Sequence, residues 1–163
     1  MLTTLLVILA VFIGIGAYLE YSVYREVNST ETLNNSGSKT ALLIYHPGLS
    51  SFTKDVAYAY ANGLVSSGWR VEVTTVSPQA PTDLSQYSLL VLCWPIYDLN
   101  PAPTITNYVH RIGNLQGINT TILTIGGGIN PFDSSAAMNK IVQDAHGTII
   151  QSLTMFRSNH NLT

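Results

Sequence analysis

Ala41-Leu42-Leu43-Ile44-Tyr45 runs into His46-Pro47-Gly48-Leu49-Ser50-Ser51-Phe52-Thr53, after which Val56, Ala57, Tyr60, Ala61, Leu64 and Val65 recur at helical spacing. An unbroken apolar run of this length is what a strand covered on both faces requires. The Gly/Pro/Ser-rich stretch is a loop, and the apolar stripe after it is one face of a helix. Gly68 ends that helix. Strand, loop and helix in this order are the opening of a parallel α/β unit.

The same alternation continues toward the C-terminus. Trp69-Arg70-Val71-Glu72-Val73 alternates apolar with polar residues, which predicts a half-exposed strand at a sheet edge. Leu89-Leu90-Val91-Leu92-Cys93 is a second fully apolar strand, and Ile105, Tyr108, Val109 and Ile112 mark a helix after it. Thr121-Ile122-Leu123-Thr124-Ile125 is the next strand. Ala137, Met138, Ile141, Val142 and Ala145 mark a further helix, capped by Asp133 or Ser134. Thr148-Ile149-Ile150 begins a fifth strand. Five strands alternating with helices predict a parallel sheet with right-handed crossovers. With the second strand at the edge, their spatial order is 2-1-3-4-5, which puts a ligand crevice beyond the carboxyl ends of the first and third. The connection 76–87 is too short for a full second helix, and no fifth helix is expected after the last strand. One apolar face of the sheet is therefore expected to be partly bare, and a partner or a second copy of the chain to cover it.

From Met1 to Leu19 there is no charged side chain. Nineteen helical residues reach roughly 28 Å, close to the ~30 Å of a bilayer's hydrocarbon core. Tyr18, Tyr21 and Tyr24 follow, where an aromatic belt sits. A cleaved signal peptide would have a basic start and a small-residue cleavage site, and neither is present. The reading is a transmembrane anchor over 1–26, a polar linker over 27–39 and one domain over 40–163. Arg25, the nearest basic residue, lies after the apolar block and favours a cytoplasmic domain. Asn28, Asn34, Asn119 and Asn161 begin Asn-x-Ser/Thr triplets, but in a chain this rich in Asn, Ser and Thr they carry little information.

The totals exclude several classes. Seven basic against nine acidic residues leave no basic footprint for nucleic acid. Cys93 is the single cysteine, so a disulfide framework or a cysteine-built metal site is impossible. His46, His110, His146 and His160 share no metal-ligand spacing and read as loop or surface histidines. Gly48-Leu49-Ser50 sits where a nucleophile elbow would, but Phe52 replaces the closing glycine and no Asp-then-His order follows. No catalytic residue is assigned.

Three loops leave the carboxyl ends of the central strands. The first, His46 to Thr53, stands where backbone amides and a helix dipole can hold a phosphate, with Ser50, Ser51 and Thr53 adding hydroxyls; it can equally be a turn with an N-cap. The second, Trp94 to Pro103, has two aromatics and three prolines and would wall a flat ring, or simply bury its aromatics. The third begins Gly126-Gly127-Gly128, which allows close approach to a ligand or makes a plain flexible turn.

With these loops the chain resembles the flavodoxin-like family, and more closely its membrane-anchored archaeal branch. The likeness covers roughly residues 40–155. It is carried by Tyr45 to Thr53 opening a helix, and by Pro95-Ile96-Tyr97 followed by Pro101-Ala102-Pro103. The resemblance implies FMN as cofactor, with its phosphate at Gly48, Ser50, Ser51, Phe52 and Thr53. It places the flavin ring near Trp94, Pro95, Ile96 and Tyr97, and its other edge at Gly126, Gly127 and Gly128. It implies electron transfer or flavin-dependent reduction with a redox partner protein. The family's phosphate loop, Ser/Thr-x-Thr-Gly-x-Thr, is shorter and has Gly where Ser51 stands. A flavin-free interaction module on the same fold is the alternative.

Overall fold

The computed structural model describes residues 2–25, 27–96, 100–126 and 132–156, without the side chain of Val23. Its elements are α1 (Leu2–Tyr24), β1 (Thr30–Leu33), β2 (Lys39–Tyr45), α2 (Phe52–Ser66), β3 (Trp69–Thr75), β4 (Leu89–Pro95), α3 (Pro103–Ile112), β5 (Asn119–Gly126), α4 (Phe132–Asp144) and β6 (Thr148–Phe156). The six strands form one sheet in the order β1-β3-β2-β4-β5-β6. The five strands read from the sequence are β2 to β6; they run parallel and keep the predicted order.

The sixth strand changes two expectations. Thr30–Leu33, inside the stretch read as a polar linker, pairs antiparallel with β3, Thr30 opposite Thr74 and Leu33 opposite Val71. Thr30 Oγ1 and Thr74 Oγ1 lie 2.8 Å apart, and Tyr58 donates to Glu31 at 2.8 Å. The packed unit thus begins before residue 40. β3 is consequently not the edge strand that its alternation predicted. Glu72 pairs in register with Leu42, so it faces the side where a second helix would lie. No helix occupies 76–88, and Tyr87 from that crossover donates to Glu72 at 2.9 Å. The alternation reports an open face, not an open edge.

Adjacent residues on the central strands serve two cores. Leu42, Ile44, Leu90, Leu92, Trp94 and Ile122 pack under α3 and α4. Leu43, Val91, Cys93, Leu123 and Ile125 pack under α2. The second face was expected to be partly bare, yet Leu43, Val91 and Leu123 have no exposed surface. Partial exposure falls toward the sheet's margins: Leu33 and Trp69 on one side and Leu153 and Met155 on the other are half-buried, and Ile150 on β6 is exposed. Ile150 is the extra residue of a bulge opposite Thr120 and Thr121. Among the described residues no helix follows β6.

The described side chains of α1 are exposed except at Ser22, and Leu2–Ser22 has the length and apolar character of a membrane span or a signal sequence. Its 23 residues reach roughly 34 Å. The chain then joins the carboxyl end of β3: the Thr75 amide donates to the Ser29 carbonyl at 2.9 Å, and the Thr75 hydroxyl donates to the Val27 carbonyl.

Candidate functional site: the carboxyl edge of the sheet

β2 and β4 are neighbours, and their crossovers leave in opposite directions, through α2 on one face and α3 on the other. Such a reversal opens a crevice beyond the carboxyl ends of the two strands. His46 is the first residue past β2. Its amide donates to the Cys93 carbonyl at 2.9 Å, which extends the β2–β4 ladder by one bond. Its ring is fully buried, with Nδ1 3.2 Å from Thr104 Oγ1 in the first turn of α3. Nε2 is buried and has no hydrogen-bond partner among the described residues. Burial, with the Arg25 charge adding to it, lowers the ring's pKa to about 4, so the imidazole is neutral at neutral pH. When Nδ1 accepts the Thr104 proton, Nε2 carries the ring hydrogen and is a donor. His46 is a loop residue as read, but it is buried, so the surface half of that reading is corrected. The signal was its place, directly after an apolar strand at the switch point.

Past His46, Gly48 takes φ 75°, the left-handed turn that favours glycine. Ser51 is the N-cap of α2 but makes no side-chain cap bond. Its hydroxyl donates instead to Asp55 Oδ2 at 3.1 Å. Ser50 Oγ stands 3.4 Å from the Phe52 amide, Thr53 is buried, and Leu49, Ser50 and Ser51 are exposed. The three hydroxyls are therefore not turned into one concavity: Ser51 is committed to its own helix and Thr53 to the core.

The second loop departs further from expectation. Trp94 has no exposed surface; it packs under α4 and donates from Nε1 to Ser134 Oγ at 3.2 Å. A side chain with nothing accessible cannot flank a ligand, so the assignment of Trp94 as a ring wall is corrected. The apolar face of α4 captured it, and Ser134 supplied the polar partner that a buried indole needs. Pro95 is also buried. Ile96 is half-buried, its amide donating to the Ile125 carbonyl at 2.9 Å. Gly126 ends β5 at the same edge. Tyr97, Gly127 and Gly128 lie outside the described residues, as does any residue preceding Phe132 that would cap α4. Asp133 and Ser134, expected as that cap, are inside the first turn.

Cys93 is buried and desolvation pushes its thiol pKa up, which keeps it an unreactive thiol. Among the described residues no three His, Cys, Asp or Glu side chains could hold a metal ion. A cavity of about 430 Å³ lies at the opposite end of the sheet, lined by Asp83, Tyr87, Asn114 and Asn119 among others. It opens at the amino ends of β4 and β5, where a switch-point ligand does not bind.

No family model matches the chain, and no curated protein matches its sequence. Solved structures do match its architecture. Oxidised Flavodoxin 2 from Bacillus cereus aligns with a TM-score of 0.64 at 14% identity, covering 75% of this chain and 87% of that one. A flavodoxin from the domain Archaea aligns at 0.62 and 15% identity, covering 74% and 86%. A flavoprotein from Lactobacillus acidophilus NCFM, solved in complex with FMN, aligns at 0.55 and 15% identity, covering 71% and 92%. The parallel order, the switch point at His46 and these likenesses together establish that the chain has the flavodoxin-like fold.

Proposed function

We propose that the chain is a membrane-tethered FMN-binding protein that serves electron transfer or flavin-dependent reduction. The observation that carries this is the buried Nε2 of His46, which has no partner among the described residues and stands at the switch point of a flavodoxin-like sheet. A buried donor left unpaired costs about 1–3 kcal/mol, and a ligand oxygen there removes that cost. The residues fit the group in this respect. The turn at Gly48 and the first amides of α2, at Ser51, Phe52 and Thr53, would hold the phosphate. Ile96 and Tyr97 would border the ring on one side, and Gly126 to Gly128 on the other. Bound flavin would supply one- and two-electron redox chemistry. The chain's own part is to exclude water, fix the ring and present it to a partner. α1 would cross the membrane, with Arg25 on the domain side and the domain in the cytoplasm.

One observation favours a second reading, a flavin-free interaction module on the same fold. The Asp55 carboxylate, holding the Ser51 hydroxyl, stands in the first turn of α2, where a phosphate would meet a negative charge. Purifying the full chain in detergent separates the two. A flavoprotein is yellow, absorbs at about 450 nm and releases one FMN per chain on acid treatment. A colourless protein that leaves added FMN fluorescence unquenched is the interaction module.

A further inference from the structure

Outside α1, the exposed large apolar side chains among the described residues are Val27, Leu49, Phe132, Ile150 and Phe156. Four of the five share one end of the domain. Val27 lies beside the carboxyl end of β3, held by Thr75. Leu49 is in the loop after β2, Phe132 opens α4 after β5, and Phe156 ends β6. Phe132 and Phe156 are 63% and 53% exposed and meet edge to face, ring centres 6.3 Å apart. Two exposed aromatic rings in edge-to-face contact, at the end of the sheet that also carries Val27 and Leu49, are a paired apolar feature and not scattered residues.

The same end of the sheet receives the apolar helix. α1 ends at Tyr24, and by Val27 the chain is already bonded to Thr75. Three residue steps reach at most about 11 Å. Whatever angle α1 takes, the carboxyl end of β3 stays within about that distance of its last turn, and the rest of the edge lies alongside it in the sheet. Tyr18, Tyr21 and Tyr24, all exposed, mark where that turn would meet the headgroups. Among the described residues the charged side chains at this edge are Arg25, Lys54, Asp55 and Asp133, two of each sign, which give no excess of positive charge to attract anionic lipid.

We propose that the domain rests on the bilayer through the carboxyl edge of its sheet, with Phe132 and Phe156 seated between headgroups and acyl chains. This rests on the reading of α1 as a membrane span, though not on FMN binding. The crevice at His46 then opens toward the lipid surface, and a partner reaches it from the membrane side. Because the contact is apolar, it holds in neutral lipid and at high salt.

The test uses the full chain in phosphatidylcholine vesicles. Cys93 is fully buried, so a nitroxide reagent labels a single introduced cysteine. Phe132→Cys and Phe156→Cys probe the proposed seat, Ile150→Cys the far end of the domain, and Leu49→Cys replaces an aromatic variant that fails to fold. The expected result is that labels at 132 and 156 collide several-fold more with oxygen than with a water-soluble nickel chelate, at low and high salt, while the label at 150 shows the reverse. Labels at 132 and 156 as open to nickel as the one at 150 overturn the seat. So do labels shielded from both probes, which would mean protein or ligand covers the patch. Extraction of the wild-type chain by alkaline carbonate overturns the span and the seat together; retention with water-exposed labels overturns the seat alone.

Discussion

His46 Nδ1 lies 3.2 Å from Thr104 Oγ1, a buried bond that ties the first residue past β2 to the first turn of α3. With the His46 amide on the Cys93 carbonyl, one residue braces β2, β4 and α3 at the point where the chain reverses its winding. The crevice is thereby set by rigid elements before any ligand arrives. It also ties the ring to α3, so what happens to its charge is felt by the fold.

That charge gives the first prediction. The folded state keeps the His46 ring neutral, with its pKa lowered from 6.5 to about 4. Between these values the unfolded chain binds a proton that the folded chain does not. The stabilisation is therefore present above pH 6.5 and is lost as pH falls toward about 4, by roughly 3 kcal/mol in total. Urea midpoints in detergent, measured across this window, should fall with pH in the wild type. In His46→Asn, which cannot titrate there, the acid side of the curve should flatten.

The buried indole gives the second. Ser134→Ala removes the acceptor of Trp94 Nε1 and leaves a donor stranded where both residues have no exposed surface. The expected loss is about 1–3 kcal/mol of unfolding free energy. Flavin binding should be unchanged, because Trp94 has no exposed surface to offer a ligand. Thermal denaturation and a flavin titration of the same sample check both halves.

Strands buried on both faces were legible in the sequence as unbroken apolar runs; residues placed by distant partners were not. The parallel order followed from Ala41 to Tyr45, Leu89 to Cys93 and Thr121 to Ile125, whose patterns state how many faces are covered. β1 was hidden because Thr30-Glu31-Thr32-Leu33 gains its strand state from Thr74 and Tyr58, more than twenty residues away. At the site, the place of the crevice was readable from the strand order. The partners of individual side chains were not: Trp94 turned to Ser134, Ser51 to Asp55, and His46 to Thr104.

The turn that returns β1 to the sheet gives a third prediction. A Cβ on Gly37 would stand 2.0 Å from the Arg70 amide nitrogen and 2.4 Å from the Trp69 carbonyl carbon, both backbone atoms that cannot yield cheaply. Gly37→Ala should therefore cost about 1–3 kcal/mol or more. Gly63, in the exposed face of α2, meets nothing within 4 Å. Gly63→Ala should instead stabilise by about 0.5–1 kcal/mol, the helix propensity difference. Opposite shifts in the denaturation midpoint are the expected pair of results.

The start of α2 gives the last prediction, and it locates the phosphate. Ser51 Oγ donates to Asp55 Oδ2 at 3.1 Å, so a carboxylate stands in the first turn of the helix whose amides would hold the phosphate. A charge there acts on FMN, which carries the phosphate, and not on riboflavin, which lacks it. Asp55→Asn removes the repulsion and should tighten FMN by about 2–5-fold, the usual size of a charge effect at a helix terminus, with the gain shrinking as salt rises. Ser51→Asp adds a second negative charge and should weaken FMN by about 1–3 kcal/mol. Riboflavin affinity should be unchanged in both variants. The measurement is quenching of flavin fluorescence on titration, and the quantity that decides is the ratio of FMN to riboflavin affinity. If both ligands shift alike, the phosphate does not sit at α2, and the His46 donor must face another part of the flavin.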